Sequence, residues 1–160
     1  MEYLKAFISN KVILSAFFSW FFAQFLKMII DLTKKRRLKR RDFILRTLFG
    51  TGGMPSSHSA AVAAVSVAIG IECGFDSALF ALSFLQVFLV VRDATGVRLS
   101  SGQQASTIND ILRRINAGQN KENAEQKPIK PVKEVNGHTP IQCFVGLIVG
   151  IFVALCVYFI

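Results

Sequence analysis

Apolar residues in this chain gather into runs separated by basic or mixed polar stretches. Val12 to Ile30 has only Gln24 and Lys27 as strongly polar members, Phe75 to Val91 carries Asp76, Ser77, Ser83 and Gln86, and Ile141 to Ile160 carries no charge. Each approaches the roughly 20 residues that cross about 30 Å of hydrocarbon at about 1.5 Å per residue. A fourth run, Ser59 to Ile71, is shorter and also suits a re-entrant segment, but a helix from Pro55 to about Cys73 just spans. The pattern predicts an all-α integral membrane bundle of about four transmembrane helices, forming a single domain over residues 1–160.

Between the runs the pattern changes. Leu4, Phe7 and Ile8 suggest an interfacial helical turn in the lead-in, and Asp42 to Phe49 a short helix broken by Gly50 to Gly53. Ile108, Ile111, Leu112 and Ile115 recur at helical spacing, predicting an amphipathic helix from about Ser106 to Asn116 that lies on the bilayer or under a site. Ala117 to Pro131 is polar and rich in Lys, Glu, Asn and Gln, which reads as a flexible loop. The first apolar run is too long for a signal-peptide core and is followed by a basic cluster, so it is expected to stay in the mature protein.

Composition agrees with a bilayer protein: 52% of residues are hydrophobic and 15 are Phe, with a mean hydropathy of +0.44. Charge adds a direction. Of 19 Lys and Arg, eight lie in residues 31–58 and eight in 92–140, whereas the turn holding Glu72 and Asp76 has none. The positive-inside rule predicts that both long loops are cytoplasmic and that both termini lie on the opposite side. The net charge of +9 suits attraction to anionic lipid headgroups, about 1 kcal/mol per basic residue near the surface, and calls for no nucleic acid. Cys73, Cys143 and Cys156 lack metal-ligand spacing and read as small apolar filler.

Both histidines fall in short motifs at helix starts: His58 in Gly52-Gly53-Met54-Pro55-Ser56-Ser57-His58-Ser59 and His138 in Gly137-His138-Thr139-Pro140. Proline suits a first helical turn and serine a cap, and the free N–H groups of that turn favour an anion. The predicted topology brings Lys27, His58, Arg92, Asp93 and His138 into one interfacial layer, where charged groups are functional candidates by default.

Gly53 to Ser59, together with Asp93-Ala94-Thr95-Gly96-Val97-Arg98 and Lys133 to Pro140, resembles the divergent branch of the type 2 phosphatidic acid phosphatase and vanadium haloperoxidase-related superfamily. Ala23-Gln24 with Lys27, and Gln103-Gln104-Ala105 with Asn109, fit that branch too. The resemblance runs from about Asn10 to the C-terminus. It implies a proton-donating His58 in a second motif where Ser57 stands in place of glycine. The usual Arg-Pro after the lysine and the usual Ser-Arg before a His and Asp are absent, so the remaining roles are assigned by chemistry.

That chemistry is phosphoryl transfer. Lys27, Arg92 or Arg98, Ser56, Ser57 and the turn N–H groups are expected to bind phosphate oxygens, neutral His138 to attack phosphorus and His58 to protonate the departing alkoxide. Asp93 or Glu134 orients the attacking imidazole, with Asn109 as a further orienting group. No metal or other cofactor is demanded. The expected substrate is a membrane lipid phosphomonoester such as phosphatidylglycerol phosphate or phosphatidic acid. The alternative is a non-catalytic lipid-phosphate-binding or assembly protein, and a homodimer is compatible with either.

Overall fold

The computed structural model describes residues 1–33, 53–122, 129–134 and 137–160, with backbone alone for 118–122. The predicted Asp42 to Phe49 helix lies outside the described residues. Six helices are present among them and no strand: α1 (Glu2–Ile8), α2 (Lys11–Thr33), α3 (Ser57–Cys73), α4 (Ala78–Thr95), α5 (Val97–Glu122) and α6 (Pro140–Phe159).

Helix starts follow the polar residues placed just before the apolar runs. Asn10 Oδ1 accepts the N–H groups of Val12 and Ile13 at 2.9 and 3.1 Å, opening α2. Ser56 caps α3 through the Ser59 N–H, and Ser77 caps α4 through the Phe80 N–H at 3.1 Å. At the other end of α3, Gly74 takes φ +89°, a conformation that an L side chain strains to adopt, and the chain reverses into α4.

Three stretches are long and apolar enough to cross a membrane: α2, the segment beginning at Ala78 that contains α4, and α6. The fourth, α3, has 17 residues, about 25 Å at the usual helical rise, and it is the hub against which α2, α4 and α6 all pack. Burial is inverted relative to a water-soluble bundle. The interior holds small residues, among them Ala23, Ala60, Ala63, Ala64, Ala68, Ser15, Ser19 and Ser59, while Phe17, Phe21, Phe25, Phe84, Phe88, Phe144 and Phe152 point outward. Large side chains lose nothing by facing lipid tails, so helix association rests on close packing of small residues and on interhelical hydrogen bonds.

The closest packing joins α3 and α6. A Cβ on Gly146 would sit 2.5 Å from the Ser56 carbonyl oxygen, and one on Gly150 would collide with the Ala60 carbonyl oxygen. This is a small-xxx-small face in contact with backbone. The Ser83 hydroxyl meets that of Ser66 at 3.1 Å, tying α4 to α3. At the end remote from the histidines, the Tyr158 hydroxyl donates to Glu72 at 2.6 Å while the Lys11 ammonium lies 5.1 Å from the Tyr158 ring centre, joining α2, α3 and α6.

Two expectations shift. The amphipathic segment is part of a longer helix, α5, which runs on to Glu122 through residues expected to be a loop. Ala117, Gln119, Lys121 and Glu122 are good helix formers and outnumber the poorer Gly118 and Asn120, so the polarity of the segment does not oppose continuation. Residues 129–134, expected within or beside that loop, are extended and fastened to α5, as described below.

Gly150→Leu forces α6 away from the α3 backbone and is expected to cost about 1–3 kcal/mol, lowering the thermal midpoint in detergent by several degrees. Phe152→Leu, on the exposed face of the same helix, is expected to melt close to wild type when both are followed by circular dichroism.

Candidate active site at one end of the bundle

α2 ends, α3 starts, α4 breaks into α5 and α6 starts at the same end of the bundle, and each junction brings a polar side chain with it. Lys27 is 6% exposed. Its methylenes run against Gly53, where a Cβ would stand 2.8 Å from Lys27 Cε. Gly53 has φ +94°, so glycine serves there both for its backbone conformation and for the passage of the lysine.

The second-motif turn is locked from within. Ser56 is fully buried; its hydroxyl accepts the Ser59 N–H at 3.4 Å and lies 3.1 Å from the Ser59 hydroxyl. Its backbone N–H donates to the Gln142 carbonyl at 3.1 Å, which fixes the start of α3 to the start of α6. Ser57 is buried, whereas His58 is exposed.

The third motif sits at a helix break. α4 ends at Thr95, Gly96 follows with φ −104° and ψ −90°, and α5 begins at Val97. Such a break releases carbonyls of the last turn, and that of Ala94 accepts the His138 N–H at 3.0 Å. Gly137 allows this approach, because a Cβ there would collide with Leu99 at the start of α5. Asp93 pairs with Arg98 across the break at 2.6 Å, with both side chains about half exposed. Arg92 lines a surface groove of about 800 Å³ together with Asp93, Ser100, Ser101 and Gln104.

His138 is half-buried, and its Nδ1 lies 3.2 Å from the side-chain oxygen of Gln142. Burial holds its pKa below the ordinary 6.5; the bond with Gln142 opposes this, and the positive charges of Lys27, His58 and Arg98 deepen it. The imidazole is therefore neutral at pH 7, the state a nucleophile needs. Lys27, His58 and Arg98 each lie near enough to His138 to act on it electrostatically.

The two carboxylates expected to orient His138 are engaged elsewhere. Asp93 holds Arg98, and Glu134 accepts from the Asn109 amide at 2.8 Å. The group on the imidazole is instead Gln142, which the sequence reading passed over. Its signal was present: Thr139-Pro140-Ile141-Gln142 has the S/T-x-x-E/Q form of a capping box, and the Thr139 N–H donates to Gln142 Oε1 at 3.1 Å.

Asn109 orients the returning chain rather than the ring. Its amide accepts the Val132 N–H at 2.8 Å and donates to the Val132 carbonyl at 2.9 Å, while Asn116 makes the same pair of bonds with Ile129 at 3.0 Å each. Seven helical residues advance about 10.5 Å and three extended ones about 10 Å, so the two amides match the segment in register. Among the described residues, no three of His, Cys, Asp and Glu come together as a metal-ligating group.

The sequence profile of the Divergent PAP2 family matches residues 8–153. The chain belongs to that family. It is also similar to YuiD, an uncharacterized membrane protein of Bacillus subtilis (strain 168), with 40% identity over 153 residues, covering 92% of this chain and 94% of YuiD. No solved structure matches the chain. The Divergent PAP2 family match takes in every polar group gathered at this end of the bundle, from Lys27 to Gln142.

Asn109→Ala removes both bonds to Val132, about 1–3 kcal/mol of local stability. Hydrogen exchange across 129–134 is expected to quicken about tenfold or more, at Ile129 as well as Val132, with the transmembrane helices unaffected. Faster exchange confined to the Val132 amide would show that the segment does not dock as a unit.

Proposed function

We propose that this protein is a membrane phosphatase that hydrolyses a lipid phosphomonoester, of the phosphatidylglycerol phosphate or phosphatidic acid kind, through a phosphohistidine. The observation that carries the reading is the convergence at one end of a transmembrane bundle of Lys27, packed on Gly53, the Ser56 turn, bonded to Gln142, and His138, bonded to Gln142 and to Ala94 at the break that carries Arg98. The family adds support, since its description places it as a divergent branch of PAP2.

In the proposed reaction Lys27, Arg98 and the N–H groups of the turn at Ser57 receive the equatorial phosphate oxygens, with Ser56 holding that turn in shape. Nε2 of His138 forms a bond to phosphorus as the phosphorus–oxygen ester bond breaks, and the imidazolium form of His58 gives its proton to the departing lipid alkoxide. Water then attacks the phosphohistidine, His58 takes a proton from it, inorganic phosphate leaves and His138 is restored. His58 is exposed, which suits a group that must meet first a leaving group and then water. Arg92, in the groove beside the break, is assigned to the remainder of the headgroup.

Phosphate release from a panel of phosphorylated lipids tests this directly. His138→Ala is expected to abolish release while lipid-phosphate binding persists. His58→Ala is expected to lose about 10²–10⁴ in rate on a lipid alcohol, but much less on an activated aryl phosphate that needs no proton. With that activated substrate an acid-labile, alkali-stable phosphoprotein should accumulate in the His58→Ala protein and vanish when His138 is also removed. Binding without turnover of any substrate would instead establish a lipid-phosphate-binding or assembly protein, a reading favoured by the engagement of both candidate orienting carboxylates elsewhere.

The same reading puts the site and both long basic loops in the cytoplasm, with both termini opposite, because basic loops are retained on that side. Cys73 is exposed at the remote end of α3, while Cys143 is buried. Because Cys156 is partly exposed near the same end, the test uses a Cys156→Ser background, in which an impermeant thiol reagent is expected to label Cys73 in intact cells and to fail once Cys73→Ser is added. Labelling of Cys73 only after the membrane is opened would reverse the orientation.

A further inference from the structure

Gln142 is held at three points. Its carbonyl accepts the Ser56 N–H at 3.1 Å, and its side-chain oxygen lies 3.1 Å from the Thr139 nitrogen and 3.2 Å from His138 Nδ1. An amide side chain can turn either its oxygen or its nitrogen toward a neighbour, but a backbone N–H decides the matter, because only the oxygen accepts from it. With the oxygen fixed by Thr139, the contact to His138 joins an acceptor to a ring nitrogen, and two acceptors do not bond. Nδ1 must therefore carry hydrogen. In a neutral imidazole the other nitrogen then carries none.

We propose that Gln142 is the positioning residue of the nucleophile: its side-chain oxygen keeps the His138 proton on Nδ1 and leaves the Nε2 lone pair free to attack phosphorus. The inference rests on the phosphatase reading for its chemical consequence, though the tautomer itself can be observed without turnover. As the Nε2–phosphorus bond forms and the ester bond breaks, the ring gains positive charge, which the Nδ1–H shares with the Gln142 oxygen; the alkoxide takes its proton from His58. Among the described residues Asp93 is bonded to Arg98 and Glu134 to Asn109, and the group bonded at Nδ1 is the Gln142 amide. Because the Gln142 carbonyl also holds Ser56, the nucleophile and the start of the phosphate-binding turn share one anchor.

Among the described residues the charged groups acting on His138 are Lys27 from α2, His58 from α3 and Arg98 from α5, and Arg98 is paired with Asp93 of α4. All three disfavour the imidazolium, and a neutral amide at Nδ1 does not counter them as a carboxylate would.

The chain has two histidines, so ¹⁵N-histidine labelling of the full protein in detergent gives two imidazoles, assigned with the His58→Asn variant. Wild type is expected to show His138 with hydrogen on Nδ1 and a bare Nε2. Gln142→Leu is expected to lose that preference and to lower kcat about 10–100-fold with KM little changed. Gln142→Glu is expected to restore the tautomer and most of kcat, while moving the His138 titration and the acid limb of the rate profile to higher pH by about one unit. Hydrogen on Nε2 in the wild-type protein overturns the assignment whether or not Gln142→Leu folds, and so does an unchanged tautomer in a folded Gln142→Leu. The expected tautomer together with no turnover of any phospholipid leaves Gln142 in its place and overturns the phosphatase reading instead.

Discussion

Everything at the site end depends on how closely α6 approaches α3. Gly146 and Gly150 present bare backbone to the Ser56 and Ala60 carbonyls, a fit that side chains of any size would hold open. In a bilayer this contact cannot be replaced by general apolar attraction, because lipid competes equally for large side chains. The approach also brings the first turn of α6 within reach of the first turn of α3, so that the Ser56 N–H finds the Gln142 carbonyl. Two local capping arrangements, one at Ser56 and one at Thr139 with Gln142, thereby become a single rigid unit carrying both histidines.

A second constraint comes from the break at Gly96. An unbroken helix from Ala78 would satisfy the Ala94 carbonyl internally and leave the His138 N–H without it. The break supplies that acceptor, and the Asn109 and Asn116 amides bring the returning chain along α5 toward it. The third motif thus acts first through backbone. Its charged members, Asp93 and Arg98, neutralise one another in part across the break.

Much of this was legible in the sequence. Apolar run lengths gave the spans, and alternation along the chain placed Lys27, His58, Asp93 and His138 at one end, because successive helices must cross in opposite directions. The order of the motifs gave the family. Side-chain partnerships were less legible: nothing in the spacing of Asp93 or Glu134 announces that Arg98 and Asn109 engage them, since that depends on where α4 breaks and where the returning chain docks. The glycine pair in α6 and the Thr139-to-Gln142 capping signature were readable, but they look like ordinary helix features until α3 is beside them. The helical continuation past Asn116 was hidden because polar composition reports solvation more reliably than conformation.

The placement of a glutamine rather than a carboxylate at His138 fits the charge of the proposed substrate. A phosphomonoester near neutral pH carries between one and two negative charges, and in the proposed reaction Lys27 and Arg98 would supply the positive field that meets it. One cation is already offset by Asp93. A carboxylate at Nδ1 would offset another and would move the His138 titration upward, narrowing on the acid side the pH range in which the lone pair is free. A neutral oxygen orients the ring and leaves the field positive. Burial and cationic neighbours favour the neutral histidine, and in the proposed reaction the same cations would attract the phosphate, so that binding and activation would draw on one set of charges.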